Sequence, residues 1–215
     1  MKKMLAGIIV FGSIWGFAEC IIGPMLSDAG FPSGVLMTSI FAVGFMTMTR
    51  MMYKQRGMQI GMGLVAGTLK LFNPCGPCVI CSGIAIMAEG VIFELIWFSM
   101  SLDLKELEIF TMKSSMGVIS AYCCFVGGYI VTQILTPFFS AAGFYVIDLI
   151  NFLPQILSSG LLAAIIGGFM VPIVLVLRDF DIYRVKDRVY YPITAAISLL
   201  CWTAVIVSPV LTLGL

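Results

Sequence analysis

The chain contains no histidine. That excludes His-ligated haem, His-containing zinc sites and histidine proton relays built from its own residues. Charge is almost as scarce: Asp, Glu, Lys and Arg make up 11% of the 215 residues, against roughly 25% in a soluble domain. The net charge is +1 and there is no basic run, so nothing here addresses the phosphate backbone of a nucleic acid. No phosphate-cradling loop of the form G-x-x-x-x-G-K-[ST] occurs, so nothing in the sequence hydrolyses ATP. No catalytic grouping stands out either, and no enzymatic activity of its own is expected.

What is abundant is apolar surface. Hydrophobic residues are 60% of the chain and the mean hydropathy is +1.09. In hydrocarbon, a backbone must satisfy its own hydrogen bonds, and helices do this within one segment. The expected fold is therefore all-α: a polytopic membrane bundle of six to seven transmembrane helices forming a single domain over 1–215. The expected spans are Met4–Gly23, Gly34–Met52, Gly57–Phe72, Cys78–Met100, Ser114–Thr136, Pro154–Leu177 and a terminal Tyr191–Leu211. Lys2-Lys3 and the apolar run after it read as an uncleaved first span, since no small-residue cleavage site follows. Lysine and arginine fall in alternate loops, at Lys2/Lys3, Arg50–Arg56, Lys105–Lys113 and Arg178–Arg188. The positive-inside rule then puts the N-terminus in the cytoplasm and the protein in the plasma membrane, surrounded by lipid. Gly23-Pro24, Asn73-Pro74, Thr136-Pro137 and Ser208-Pro209 are expected to end the outward-running helices, because proline lacks the donor and disfavours helix in the residue before it. Irregular backbone there points to a cavity in the outer half.

The densest chemistry lies between Lys70 and Glu94, where a lysine, an asparagine, three cysteines and two glutamates interrupt apolar sequence. Ionisable groups at such depth are costly and are therefore candidate functional groups. Helical phase groups Gly12, Gly16, Glu19 and Gly23 on one face of the first span. It likewise groups Gly63, Gly67 and Lys70 on the third, and Cys78, Cys81, Ala85 and Glu89 on the fourth. Glu19, Lys70 and Glu89 can then converge, with Asn73 at the rim. One reading is a site for a small zwitterionic or amide-bearing solute, with Lys70 pairing an anionic group. The other is an internal pair that fixes helix register, with Lys70 snorkelling. Glu94 falls on a different face. The segment Ala141–Leu153 is expected to be a short helix over the outer mouth, with Asp148 and Asn151 one turn apart on one side, as a lid or an interfacial helix.

Cys75-x2-Cys78-x2-Cys81 matches the ligand run of iron–sulfur proteins. Cys75-Gly-Pro-Cys78 also has the form of a thioredoxin-like redox pair, though without its βαβ setting. The readings are an iron–sulfur cluster or soft metal, redox work, an outer disulfide between Cys75 and Cys78, or simple packing. Met46, Met48, Met51, Met52, Met58 and Met62 read as adaptable filler between helices.

The small-residue first span with Gly12-Ser-Ile-Trp-Gly16, the outer loops Pro24–Ser33 and Asn73–Pro77, and the run Ile86-Met-Ala-Glu89-Gly90-Val-Ile-Phe-Glu94 together resemble the substrate-binding (S) components of energy-coupling factor transporters. The resemblance covers about Met4–Leu177, a six-helix core; 178–215, a charged loop plus an extra terminal span, departs from it. It implies capture of a vitamin or micronutrient from outside, with no resident cofactor. It also implies docking of the small-residue face at Ala6, Gly12 and Gly16 on a membrane coupling subunit driven by ATPases. Two further readings stand beside it: a membrane redox or metal-binding subunit using Cys75, Cys78 and Cys81, and a structural subunit of a larger membrane complex.

Overall fold

The computed structural model describes residues 2–73, 79–98, 109–139, 146–176 and 182–213, with the side chains of 146–148 and 210–213 excepted. Seven helices run through them: α1 Lys2–Asp28, α2 Ser33–Tyr53, α3 Met58–Leu71, α4 Val79–Phe98, α5 Phe110–Phe139, α6 Val146–Leu175 and α7 Asp187–Leu213. No strand occurs among the described residues. Six of the seven are long and apolar enough to cross a membrane, which makes this a polytopic membrane helix bundle. The exception is α3. Its 14 residues span about 21 Å, short of the roughly 30 Å hydrocarbon core. It lies between α1 and α4 and carries a buried face of Met58, Met62, Ala66 and Leu69.

The largest of three hydrophobic clusters among the described residues is built around Trp15, Val43, Met46, Met58, Met62, Phe93 and Trp97. Met48 and Met52 pack on its edge, so the methionines do act as filler. Two glycine contacts set the close helix approaches. A Cβ on Gly16 would stand 3.0 Å from the Ala66 backbone of α3. One on Gly117 of α5 would overlap the Gly167 carbonyl of α6. At the end of the bundle carrying Lys3, α1 and α7 are tied by polar groups. Lys3 Nζ pairs with Asp187 at 2.8 Å, and the Tyr190 hydroxyl donates to the Lys3 carbonyl at 2.9 Å.

Four expectations need correction. Three of the four expected proline stops do not end their helices: α1 continues to Asp28 past Pro24, and Pro137 and Pro209 lie inside α5 and α7, whereas α3 does end before Asn73, with Pro74 outside the described residues. A proline removes one backbone bond, whereas ending a helix in hydrocarbon would expose several. The separate helix over the mouth does not form. Val146–Leu175 is one continuous helix, with Asn151 exposed on its second turn. Asp148 belongs to its first turn, its side chain outside the described ones. Arg50 is not a loop charge but sits within α2 and is 2% exposed. Finally, Gly12 and Gly16 offer no free docking face. Both are buried against α3, where a Cβ on Gly12 would meet Val65 at 2.7 Å, and Ala6 packs against the core cluster.

Candidate functional site

Two stretches of the bundle leave α-helical geometry. Ala18–Ile22 of α1 and Met37–Ala42 of α2 are π-helical, and they face one another. Such turns are rare and collect at functional sites. The first has a local cause in Pro24, which has no N–H to give the carbonyls one turn behind it, those of Glu19 and Cys20. Side chains from α3 and its C-terminal edge supply the missing donors. Lys70 Nζ donates to the Glu19 carbonyl at 3.0 Å. Asn73 Nδ2 donates to the Cys20 carbonyl at 3.4 Å. Both side chains are buried, at 7% and 1% exposure. The expected convergence of Glu19 and Lys70 is therefore present, but with a different geometry. Lys70 and Asn73 brace the π turn, and the Lys70 charge acts on the Glu19 carboxylate from behind it.

The π turns flank a cavity of about 330 Å3. Glu19 contributes from α1, Gly34, Met37 and Thr38 from α2, Cys81, Ser82, Ala85, Ile86 and Glu89 from α4, and Phe125, Tyr129 and Thr132 from α5. The helical-phase expectation that Cys81 and Glu89 share a face is met, and Glu19 meets them across the cavity. Among the described residues no lysine or arginine lines it. Glu19 Oε1 accepts from the Trp15 indole N–H at 3.3 Å, one helical turn back. Glu89 Oε1 accepts from the Thr38 hydroxyl at 2.6 Å. Glu89 Oε2 is buried with no hydrogen-bond partner among the described residues. The carboxylate of neither residue enters an ion pair there. Glu89 can lie against α5 because Gly128 stands opposite its methylenes, where a Cβ would come within 3.4 Å.

Thr38 and Trp15 belong to the site and escaped sequence reasoning. Trp15 was legible as the i, i+4 neighbour of Glu19. Thr38 had only a weak signal, a Thr-Ser pair inside an apolar span.

Cys81 is disulfide-bonded, and its partner is not among the described residues; Cys75 and Cys78 lie outside them. A cysteine in a disulfide has no thiolate to give a metal, so in this state Cys81 is withdrawn from the three-cysteine ligand run. Among the described residues no group of three His, Cys, Asp or Glu could hold a metal ion. Cys123 and Cys124 are free thiols on α5, and Cys124 is buried with its Sγ 3.6 Å from the Glu89 carbonyl.

Glu94 has a different partner altogether. Its Oε1 pairs with Arg50 Nη1 at 2.8 Å, with the two side chains only 5% and 2% exposed. Arg50 Nη2 also donates to the Trp97 carbonyl at 3.0 Å. This cluster is in the half of the bundle toward Tyr53, away from Pro24.

Comparisons with protein-family models, with curated proteins and with solved structures found no match. The function is therefore argued from the cavity alone.

Proposed function

We propose that this membrane protein binds a small solute in the cavity between the two π turns and serves its passage into the cell. One observation carries the proposal: a buried carboxyl group, Glu89, lines a cavity of about 330 Å3, and its Oε2 has no hydrogen-bond partner among the described residues. That volume is within the usual range of roughly 300–1,000 Å3 for small-molecule sites, and ionisable groups at membrane depth mark solute and ion pathways. Glu19 and Glu89 form the site, with Thr38 orienting Glu89. Lys70 and Asn73 support it through the backbone of α1. With no ATP-binding loop in the sequence, energy for uptake comes from a partner or an ion gradient. A coupling subunit with ATPases, as in S-component systems, would dock elsewhere than on Gly12 and Gly16.

The test is native mass spectrometry of the protein released gently from lipid nanodiscs. A bound solute mass is expected in the wild type, at least tenfold depleted in Glu89→Gln, with both proteins equally helical by circular dichroism. Equal occupancy in the variant would remove Glu89 from the site, and absence of any bound solute would remove the proposal.

A further inference from the structure

The charges on the cavity wall say which kind of solute fits, and this inference rests on the binding reading just given. Among the described residues, two carboxyl groups line the cavity and no basic side chain does. Lys70 does not line the cavity; its ammonium donates to the Glu19 carbonyl. Neither cavity carboxyl has an ion-pair partner among the described residues. Glu89 is 6% exposed and its Oε2 has no hydrogen-bond partner among the described residues. A buried carboxyl group in that condition either keeps its proton or gives it up to pair with a cation supplied from outside, and a cationic solute favours the second.

The rest of the lining decides between kinds of cation. An inorganic ion wants several converging oxygens, and among the described residues no group of three His, Cys, Asp or Glu could hold one. Instead the wall carries aromatic rings. Phe125 and Tyr129, one turn apart on α5, have ring centroids 5.0 Å apart and both border the cavity. Carboxylate and aromatic faces together are the chemistry that holds an organic ammonium group. Met37, Ala85 and Ile86 add apolar side chains to the lining, beside the hydroxyls of Ser82 and Thr132. An anionic head group would find no donor of positive charge on the wall, so the zwitterionic solute suggested by a cavity-facing Lys70 is not the one this geometry favours.

We infer that the cavity takes a solute with a single organic ammonium group, its positive charge set against Glu89 and Glu19 and its carbon body against the Phe125–Tyr129 wall.

The experiment uses the full chain in lipid nanodiscs and matched probes that differ only in charge. These are choline and its uncharged isostere 3,3-dimethylbutan-1-ol, benzylammonium and benzyl alcohol, with butyrate as an anion. Binding is read by calorimetry and by the emission of Trp15, whose indole N–H sits on the Glu19 carboxylate. Each ammonium probe is expected to bind at least tenfold more tightly than its isostere. Glu89→Gln should abolish that preference and Glu89→Asp should keep it at lower affinity. If Glu89→Gln does not fold, Tyr129→Leu reads the same wall and should weaken choline more than the alcohol. Isosteres or butyrate binding as tightly as the ammonium probes would overturn this inference and leave the solute-binding reading standing. No binding by any probe, with no solute mass retained by the wild type, would overturn both.

Discussion

Glu89 and Glu94 are five residues apart on one helix, both buried, and have opposite surroundings. Glu94 meets Arg50 across a closed contact, and the guanidinium is fixed a second time by the Trp97 carbonyl. Glu89 meets one threonine hydroxyl and a cavity. The first is a lock between α2 and α4, and the second is an open acceptor. The same residue type at similar burial thus serves two ends, and neighbouring side chains decide which. The backbone differs in the same way. Around Glu94 the helices are α-helical with apolar packing, while near Glu89 two π turns hold the walls apart.

The comparison predicts first that Arg50 cannot be removed cheaply. Arg50→Met would leave a buried carboxylate with neither oxygen paired, since Glu94 Oε2 already lacks a partner among the described residues. Breaking a buried pair from one side costs about 3–5 kcal/mol. Thermal unfolding in detergent should show that loss, and the double variant Arg50→Met, Glu94→Met should recover most of it. Glu89→Gln, by contrast, removes a charge that has no ion-pair partner and should leave the unfolding temperature unchanged or raised. If Glu89→Gln destabilises as much as Arg50→Met, the two glutamates are both structural and the contrast fails.

A smaller effect is expected at Lys70. Lys70→Met keeps the methylene stem and removes the donor on the Glu19 carbonyl. An orphaned buried acceptor costs about 1–3 kcal/mol, again read by thermal unfolding. The variant should also lose solute affinity without losing its preference for charge, because Lys70 acts through the π turn and lies off the cavity wall. A change of preference toward cations of higher charge would instead place the lysine in direct contact with solute.

Much of this was legible in the chain, and the parts that were not share a cause. Hydropathy located six crossing helices because a bilayer demands long apolar runs, but it also marked Gly57–Phe72, where α3 is too short to cross. Helical phase brought Cys81 and Glu89 to one face because α4 is regular over that stretch. Phase arguments fail where the helix leaves the α form, and no sequence signal marked Ala18–Ile22 or Met37–Ala42 as π turns. Pro24 was read as a stop because its missing donor was noted without asking which side chain from another helix would replace it. That replacement, by Lys70 and Asn73, is a tertiary event, and it sets both side chains on the backbone carbonyls of α1. Arg50 was assigned to a loop because it heads a cluster of basic residues that includes Lys54 and Arg56. Pairing with Glu94, on a helix 44 residues away in sequence, draws it into the bundle. Thr38, likewise, has meaning only beside Glu89.

Thr38 supplies the finest test of the difference between the two glutamates. Its hydroxyl gives Glu89 Oε1 the one hydrogen bond from a described side chain, so Thr38→Val keeps the shape and deletes the donor. The loss to stability should be small, about 1 kcal/mol, because the carboxylate already borders a cavity and can turn toward it. Solute binding should change more than stability does, for the bond fixes which Glu89 oxygen faces the solute. Measured on one nanodisc preparation, Thr38→Val should weaken ammonium binding several-fold while shifting the unfolding temperature little. Ser120→Ala provides the control at the other end of α4. It removes the acceptor of the Trp97 indole N–H, a 2.9 Å bond, beside the Glu94 lock and away from the cavity. It should lower stability by a similar amount and leave binding unchanged. If Thr38→Val behaves as Ser120→Ala does, the hydroxyl serves packing alone and Glu89 is held by something other than Thr38.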